Sequence, residues 1–370
     1  MIYLDNAATT KINEKALETL EKYSSECFFN PSASYRLGIE NNQAILSAKN
    51  SIKSIIGADE KDGIVFCSGA TEANNTAIQS FANKRSKQLL FSSGEHPSVY
   101  QFAKKLFEQG YDVKFINLQQ NGEVDYEQLE ELLQKETSFI SCMLVSNETG
   151  AINDIRRIVE LKDQYQPNAI VHSDMVQGFG KIQIDVSELG VDLATISAHK
   201  IHGPKGIGAL YVKNGIKIKP LLLGGEQETG LRAGTENLPA IMAFKTVCEN
   251  LNIEQNLLKA KNLRNEFLNG LDGLKYSING NGSPYVLSLS IDGLRGETLM
   301  NMCQEKGVIF GLGSACSSKK VGNRVLEQMK QKNIIGSIRV SFNAYQTVDE
   351  IKTASNIIKN QAMCLLEKLK

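Results

Sequence analysis

The sequence predicts an α/β architecture: a mostly parallel sheet with helices on both faces, followed by a smaller α+β unit. Three observations carry this. Short apolar, β-prone runs alternate with longer amphipathic ones from about residue 64 to 212. Ser68, Asn147, Asp174 and Lys200 fall at or just after strand ends, where ligands of open parallel sheets bind. Beyond a long helical region at about 237–269, the pattern changes to a second, shorter set of strands and helices.

The elements follow in order. Ile64-Val65-Phe66-Cys67-Ser68 reads as a strand, and Thr71 to Phe81 as a helix with Ala73, Ala77, Ile78 and Phe81 on one side. Gln88 to Ser92 is the next strand, followed by a helix opening at Pro97, a favoured first-turn residue. Strands are expected at 111–117, 139–145 and 169–174, separated by helices near 125–135 and 153–165. Asp192 to Ile196 and Gly208 to Val212 are two further apolar runs. The second unit reads as strands near 285–291, 308–313 and 337–342 with helices near 297–306 and 347–369. The domains expected are 12–250, a large α/β domain, and 1–11 with 251–370, a small α+β domain.

Bulk composition narrows the function classes. Hydrophobic residues make up 42% of 370, which excludes a disordered chain. Lys+Arg and Asp+Glu both number 41, so the basic excess of a nucleic-acid binder is missing. The start, Met1-Ile2-Tyr3-Leu4-Asp5-Asn6, has no signal-peptide pattern, and no apolar run reaches spanning length. The seven cysteines are odd in number and none are paired at metal-ligand spacing, so neither a disulfide framework nor a metal site is expected, and the location expected is cytoplasmic.

The most telling stretch is Ser197-Ala198-His199-Lys200-Ile201-His202-Gly203-Pro204-Lys205-Gly206. A lysine at the mouth of two strands, among small residues and glycines, is poorly explained as solvated surface. It makes sense if Lys200 is held covalently by a carbonyl cofactor. Lysine amines form Schiff bases with pyridoxal phosphate, whose pyridine nitrogen then needs an acidic partner. Asp174, at the end of Ala169-Ile170-Val171-His172-Ser173-Asp174, is a candidate; its competing reading is a helix cap. His199 and His202 have H-x-x-H spacing but no further local ligand, so they do not read as a metal site.

Other stretches add to the picture. The glycine-containing turn Cys67-Ser68-Gly69-Ala70-Thr71 joins a strand to a helix, where backbone N–H groups can hold a phosphate; a cap by Ser68 or Thr71 is the alternative. His96 stands at another strand-to-helix junction, where an imidazole can stack on a planar cofactor and move protons. Asn147-Glu148-Thr149-Gly150 offers a polar ligand or an ordinary turn. The 224–237 loop, Gly-rich with one arginine, suits a phosphate contact or a subunit interface. Arg339, on an apolar strand, wants a carboxylate, either from a substrate or in a structural ion pair. Cys316 lies among small, polar and basic residues, with Lys319 and Lys320 nearby to favour its thiolate.

Together these motifs resemble those of the cysteine desulfurases, pyridoxal-phosphate enzymes related to class V aminotransferases. The resemblance spans nearly the whole chain. It runs through Tyr3 to Thr10, Asn30-Pro31-Ser32, Ser68 to Asn75, Glu95-His96, Asn147 to Gly150, Asp174 with Gln177, Ser197 to Lys200, Gly234 to Asn237 and Ser314-Ala315-Cys316. It implies the aminotransferase-like fold (fold type I) and pyridoxal 5'-phosphate as cofactor. It also implies that Lys200 carries the cofactor, that His96 stacks on its ring, and that Asp174 and Gln177 hold the ring nitrogen and phenolic oxygen. Ala70, Thr71, Ser197 and His199 would bind the phosphate region, with Thr235 reaching it from the other subunit of a homodimer. Asn147 and Arg339 would orient the substrate carboxylate. Lys200 would remove the α-proton of L-cysteine, and Cys316 would accept the sulfur as a persulfide, leaving L-alanine. A sulfur-acceptor protein, an iron–sulfur scaffold or a tRNA sulfurtransferase, would take the sulfur onward. A selenocysteine lyase, another class V enzyme, or a catalytically silent sulfur-transfer scaffold are the alternatives. Two positions depart from the common pattern, Tyr35 where histidine is frequent and Asn343-Ala344 where Gly-Arg is frequent; both bear on subfamily and partner.

Overall fold

The computed structural model describes residues 1–82, 87–280, 282–313 and 323–368. The chain opens with a short strand β1 (Ile2–Tyr3) and two helices, α1 (Glu14–Ser25) and α2 (Arg36–Ile56), which add to the elements read from the sequence. Asn13 caps α1 by accepting from the Lys15 amide. Gly57 ends α2 in the left-handed region at φ 61°, and a Cβ there would lie 2.6 Å from the Asp185 carboxylate, so glycine is required on both grounds.

The alternating segment then runs β2 (Gly63–Cys67), α3 (Ala70–Phe81), β3 (Gln88–Ser92), α4 (Pro97–Glu108), β4 (Val113–Ile116), α5 (Tyr126–Leu132), β5 (Thr137–Ser141), α6 (Ile155–Tyr165), β6 (Ile170–Asp174), α7 (Val186–Leu189), β7 (Leu193–Ser197) and β8 (Gly208–Val212). The seven strands form one sheet in the order β2-β8-β7-β6-β5-β3-β4. β8 alone runs against the direction of the other six. Alternate side chains of β3 go to opposite faces: Leu90 joins the core under α2 and α6, while Leu89 and Phe91 join the core under α3 and α4.

Two boundaries differ from expectation. The strand expected at 139–145 begins at Thr137 and stops at Ser141. Beyond it Cys142 N and Leu144 N still donate to the His172 and Asp174 carbonyls of β6, while the Asn153 side chain donates to the Met143 carbonyl and Val145 pairs back with Ile152. The long helical region at 237–269 is two helices, α8 (Leu238–Glu249) and α9 (Ile253–Asn269). Asn250 folds back to donate to the Thr246 carbonyl, and Asn252 caps the second helix by accepting from Gln255 N. The break lets α8 pack Leu238 and Phe244 on the large core while α9 sends Leu263 and Phe267 into another.

That other core is built from β9 (Tyr276–Ile278), β10 (Val286–Ile291), α10 (Gly296–Glu305), β11 (Val308–Ile309), β12 (Ser337–Ser341) and α12 (Val348–Lys368), whereas α11 (Arg324–Gln328) packs Val325 and Leu326 on the large core. β12-β10-β9 form an antiparallel sheet, and β1 pairs in parallel with β11. The strand expected at 308–313 is regular for two residues only, with Gly311 bridging to Arg339 beyond them. Leu4 is fully buried in this core, next to the β1–β11 pair, whereas Thr10 and Asn13 already donate to the turn after β7.

Candidate active site

A cavity of about 1530 Å³ opens beyond the carboxyl ends of β2, β3, β5, β6 and β7. It is lined by Ala70, Thr71, His96, Asn147, Asp174, Gln177, Ser197, His199, Lys200 and Arg339, so ten of the residues read from the sequence meet there. Thr235 does not. It lines an adjoining pocket of about 180 Å³ that shares Ser68, Gly206 and Ile207 with the large one. Cys316 lies outside the described residues.

Lys200 ends the short turn after β7. Its Nζ donates to the carbonyls of Ala7 and Ala8, both at 2.6 Å, so the N-terminal segment forms one wall of the cavity. Burial, with the Arg339 guanidinium as the second cause, lowers its amine from 10.5 to about 8; Asp174 and Asp5 oppose the shift. Next to it, His199 shares a hydrogen bond with Thr9 Oγ1 at 3.1 Å, and burial followed by the Lys200 charge pushes its imidazole down to about 4. The Ser197 hydroxyl is buried without a hydrogen-bond partner among the described residues.

The turn from β2 into α3 is capped by Gly69 with no side-chain bond, so neither Ser68 nor Thr71 performs the capping role. Ser68 N donates instead to Glu72 Oε2 at 2.7 Å, and Glu72 also receives Arg232 Nε at 2.9 Å. The first-turn amides of α3 are thus placed along the cavity wall, the arrangement that suits a phosphate. Gly208 of β8 packs against this turn; a Cβ on it would come 2.9 Å from the Gly69 carbonyl carbon.

Asp174 sits at the end of β6. Its Oδ1 accepts from Val176 N at 3.0 Å, and its Oδ2 accepts from Asn74 Nδ2 at 2.8 Å. Gln177 donates through Nε2 to Ala7 O at 2.9 Å and accepts from Lys181 Nζ at 2.8 Å. Burial, then the charges of Lys200 and Arg339, lowers the Lys181 amine to about 7. His96 caps α4, its Nδ1 accepting from Ser98 N at 3.2 Å and lying 2.8 Å from Ser98 Oγ. Behind it Glu95 is fully enclosed, and burial with the Asp174 charge raises its carboxyl to about 8.

Arg339 makes the structural ion pair considered for it. Its Nη2 lies 2.8 Å from Asp5 Oδ1, its Nη1 donates to Asn147 O at 3.0 Å, and Glu148 Oε1 is 3.7 Å away. Its Nε is buried and has no partner among the described residues. Asn147 Nδ2 donates to Glu148 Oε1 at 2.9 Å. Gly313 and Asn323, which flank the segment bearing Cys316, both come to Glu148: Asn323 Nδ2 donates to its Oε2 at 3.1 Å, and a Cβ on Gly313 would lie 2.3 Å from that oxygen. Cys67, Cys142, Cys248 and Cys303 are buried, and burial raises each thiol, Cys303 to about 12. Of the two departures, Tyr35 stands half-exposed at the start of α2, and Asn343 Nδ2 donates to Asn6 Oδ1 at 2.9 Å.

Ala7, Asp5, Asn74, Ser98, Lys181 and Glu148 were not assigned site roles in the sequence reading. Asn74 and Ser98 had a signal, since each stands within three residues of an assigned one. Ala7 acts through its backbone carbonyl, for which a side-chain pattern holds no signal.

Residues 2–353 match the family model described as Aminotransferase class-V. The chain is 35% identical over 363 residues to the cysteine desulfurase of Nostoc sp. (strain PCC 7120 / SAG 25.82 / UTEX 2576), covering 95% of this chain and 90% of that one. Among solved structures, a "NIFS-LIKE PROTEIN" superposes with a TM-score of 0.91 at 31% identity, covering 98% of this chain and 100% of that one. Another, described as "SspA in complex with cysteine", gives 0.84 at 29% identity, covering 94% and 100%.

Proposed function

The chain belongs to the class V aminotransferase family, and from that premise we propose that it is a cysteine desulfurase that converts L-cysteine to L-alanine and carries the sulfur as a persulfide on Cys316. The observation that carries this reading is the placement of Gly313 and Asn323, either side of the Cys316 segment, on Glu148 at the wall of the cavity that holds Lys200. An amino-group transferase has no need of a reactive thiol in this segment.

The residues present fit pyridoxal 5'-phosphate. A lysine amine at about 8, an aspartate lining the same cavity, an unpartnered Ser197 hydroxyl and a start of α3 free of any side-chain cap are what its aldehyde, ring nitrogen and phosphate require. Lys200 would hold it, with His96 against the ring, Asp174 at the ring nitrogen and Gln177 at the phenolic oxygen. Ala70, Thr71, Ser197 and His199 would take the phosphate, and Thr235 of a second copy would complete that site in a homodimer. When bound, the cofactor supplies an electron sink that makes the α-proton of cysteine removable.

The chain's own groups do the rest. Arg339 and Asn147 orient the substrate carboxylate. Neutral Lys200 Nζ takes the α-proton and later returns one. The Cys316 thiolate attacks the substrate sulfur; an S–S bond forms, the C–S bond breaks, and its electron pair stays with the carbon skeleton that becomes alanine on protonation. A thiol of an acceptor protein, an iron–sulfur scaffold or a tRNA sulfurtransferase, then takes the outer sulfur in the cytoplasm. In this reading 12–250 form the cofactor-binding domain, and 1–11 with 251–370 the small domain that carries Cys316.

The test separates the two halves. After brief exposure to cysteine, mass spectrometry should find one extra sulfur on the Cys316 peptide. Cys316→Ala should keep the cofactor, fixed by borohydride to the Lys200 peptide, yet form no persulfide. Full turnover by Cys316→Ala, or cofactor recovered on another lysine, overturns the reading.

A further inference from the structure

Hydrogen bonding around His96 has a direction that can be followed atom by atom. Asn74 is fully buried on α3, and its Nδ2 has two protons. One goes to Asp174 Oδ2 at 2.8 Å and the other to Ser98 Oγ at 2.8 Å. Ser98 Oγ is therefore an acceptor toward Asn74, which leaves its own proton for the neighbour at 2.8 Å, His96 Nδ1. The Ser98 backbone N–H also points at Nδ1, at 3.2 Å. Two donors converge on one ring nitrogen, which must then be the unprotonated one.

We infer that Asn74 and Ser98 are positioning residues that fix His96 as its neutral Nε2–H tautomer, so that the imidazole meets a ligand in the cavity as a hydrogen-bond donor rather than as a base. His96 lines the cavity, and with Nδ1 tied to α4 it is Nε2 that is left for a ligand. Where that ligand is cysteine, which rests on the function proposed above, the ring stabilises a sulfur thiolate or an oxygen anion and does not strip the thiol proton. The charged groups acting on the ring are Asp174 and Glu148, which favour its protonation, and Lys200 and Arg324, which oppose it. Burial outweighs them and holds the imidazole below its ordinary value, in keeping with a ring that stays neutral. The same Asn74 proton pair also orients Asp174, so one buried amide sets the geometry of both groups.

The chain has four histidines, so long-range proton–nitrogen NMR of ¹⁵N-histidine-labelled holoenzyme yields a spectrum assignable by single substitutions. At neutral pH, His96 should show a pyrrole-like Nε2 and a pyridine-like Nδ1. Ser98→Ala should raise the minor Nδ1–H population about fivefold, the effect of losing one neutral hydrogen bond, and Ser98→Thr should restore the wild-type pattern. An Nδ1–H tautomer in the wild type, or a Ser98→Ala spectrum unchanged from it, overturns the inference. The readout does not depend on turnover. A desulfurase with the wrong tautomer would sink only this inference, and the right tautomer without persulfide formation would sink only the function.

Discussion

An amine can attack a carbonyl only when it is neutral, so the state of Lys200 sets when the site can be loaded. Its surroundings lower it to about 8, chiefly through burial and then through Arg339. Covalent capture of pyridoxal phosphate by the apo-protein should rise with pH through a midpoint near 8 and level off above it. Arg339→Met should move that midpoint upward, because a like charge is removed. Stopped-flow absorbance from about pH 6 to about pH 12 measures both; a midpoint at the ordinary 10.5 would show that the amine is solvated. The same shift has a consequence for stability. Between about 8 and 10.5 the unfolded chain binds a proton here that the folded apo-protein does not, so this residue's contribution to stability improves as pH rises through that window.

The loop from 224 to 237 leads into α8 and is anchored by a buried carboxylate. Glu228 and Thr229 both adopt left-handed backbone angles, at φ 50° and 57°, which are costly for residues with side chains. The Glu228 carboxylate stabilises that turn by accepting from Lys49 Nζ of α2 at 2.7 Å and from Phe66 N of β2 at 3.0 Å. Only 3% of its side chain is exposed, so its removal leaves Lys49 and a buried amide unmatched. Glu228→Ala should cost about 3 kcal/mol in urea unfolding, and adding Lys49→Met should recover part of the loss. Stability equal to the wild type would place the anchor of this loop elsewhere. Through Arg232 and Glu72 the same loop is tied to the start of α3, so its displacement should also weaken cofactor binding.

At the scale of the whole molecule, the large cavity and the Thr235 pocket share Ser68, Gly206 and Ile207 but remain distinct within one chain. That arrangement suits a site completed by a second copy, as proposed above. Mixing Lys200→Ala chains with Thr235→Ala chains should give hybrid dimers with one intact site and restore part of the activity each parent lacks. A fully active monomer in sedimentation would sink the shared-site reading. Assembly of one chain's own site already depends on distant segments. Lys200 meets Ala7 across 193 positions, Asn74 meets Asp174 across 100, and Arg339 meets Asp5 across 334.

The features legible in the sequence are those written in short-range chemistry. Strand and helix periods, Pro97 at a helix start and Lys200 between two apolar runs are all set by neighbours a few positions away, and they located the sheet, its ligand edge and candidates such as Lys200, Asp174 and His96, while the resemblance added Gln177, Ser197 and His199 to the residues that line the cavity. What only the tertiary structure decided is which groups meet. The break between α8 and α9 follows from two cores competing for one helical stretch, and beyond Ser141 a remote side chain, Asn153, takes the Met143 carbonyl while the backbone amides of Cys142 and Leu144 stay paired with β6. The Asn74–Ser98–His96 relay and the carbonyls that hold Lys200 arise because packing brings remote residues into hydrogen-bond range, where direction and burial, rather than residue type, fix what each group can do.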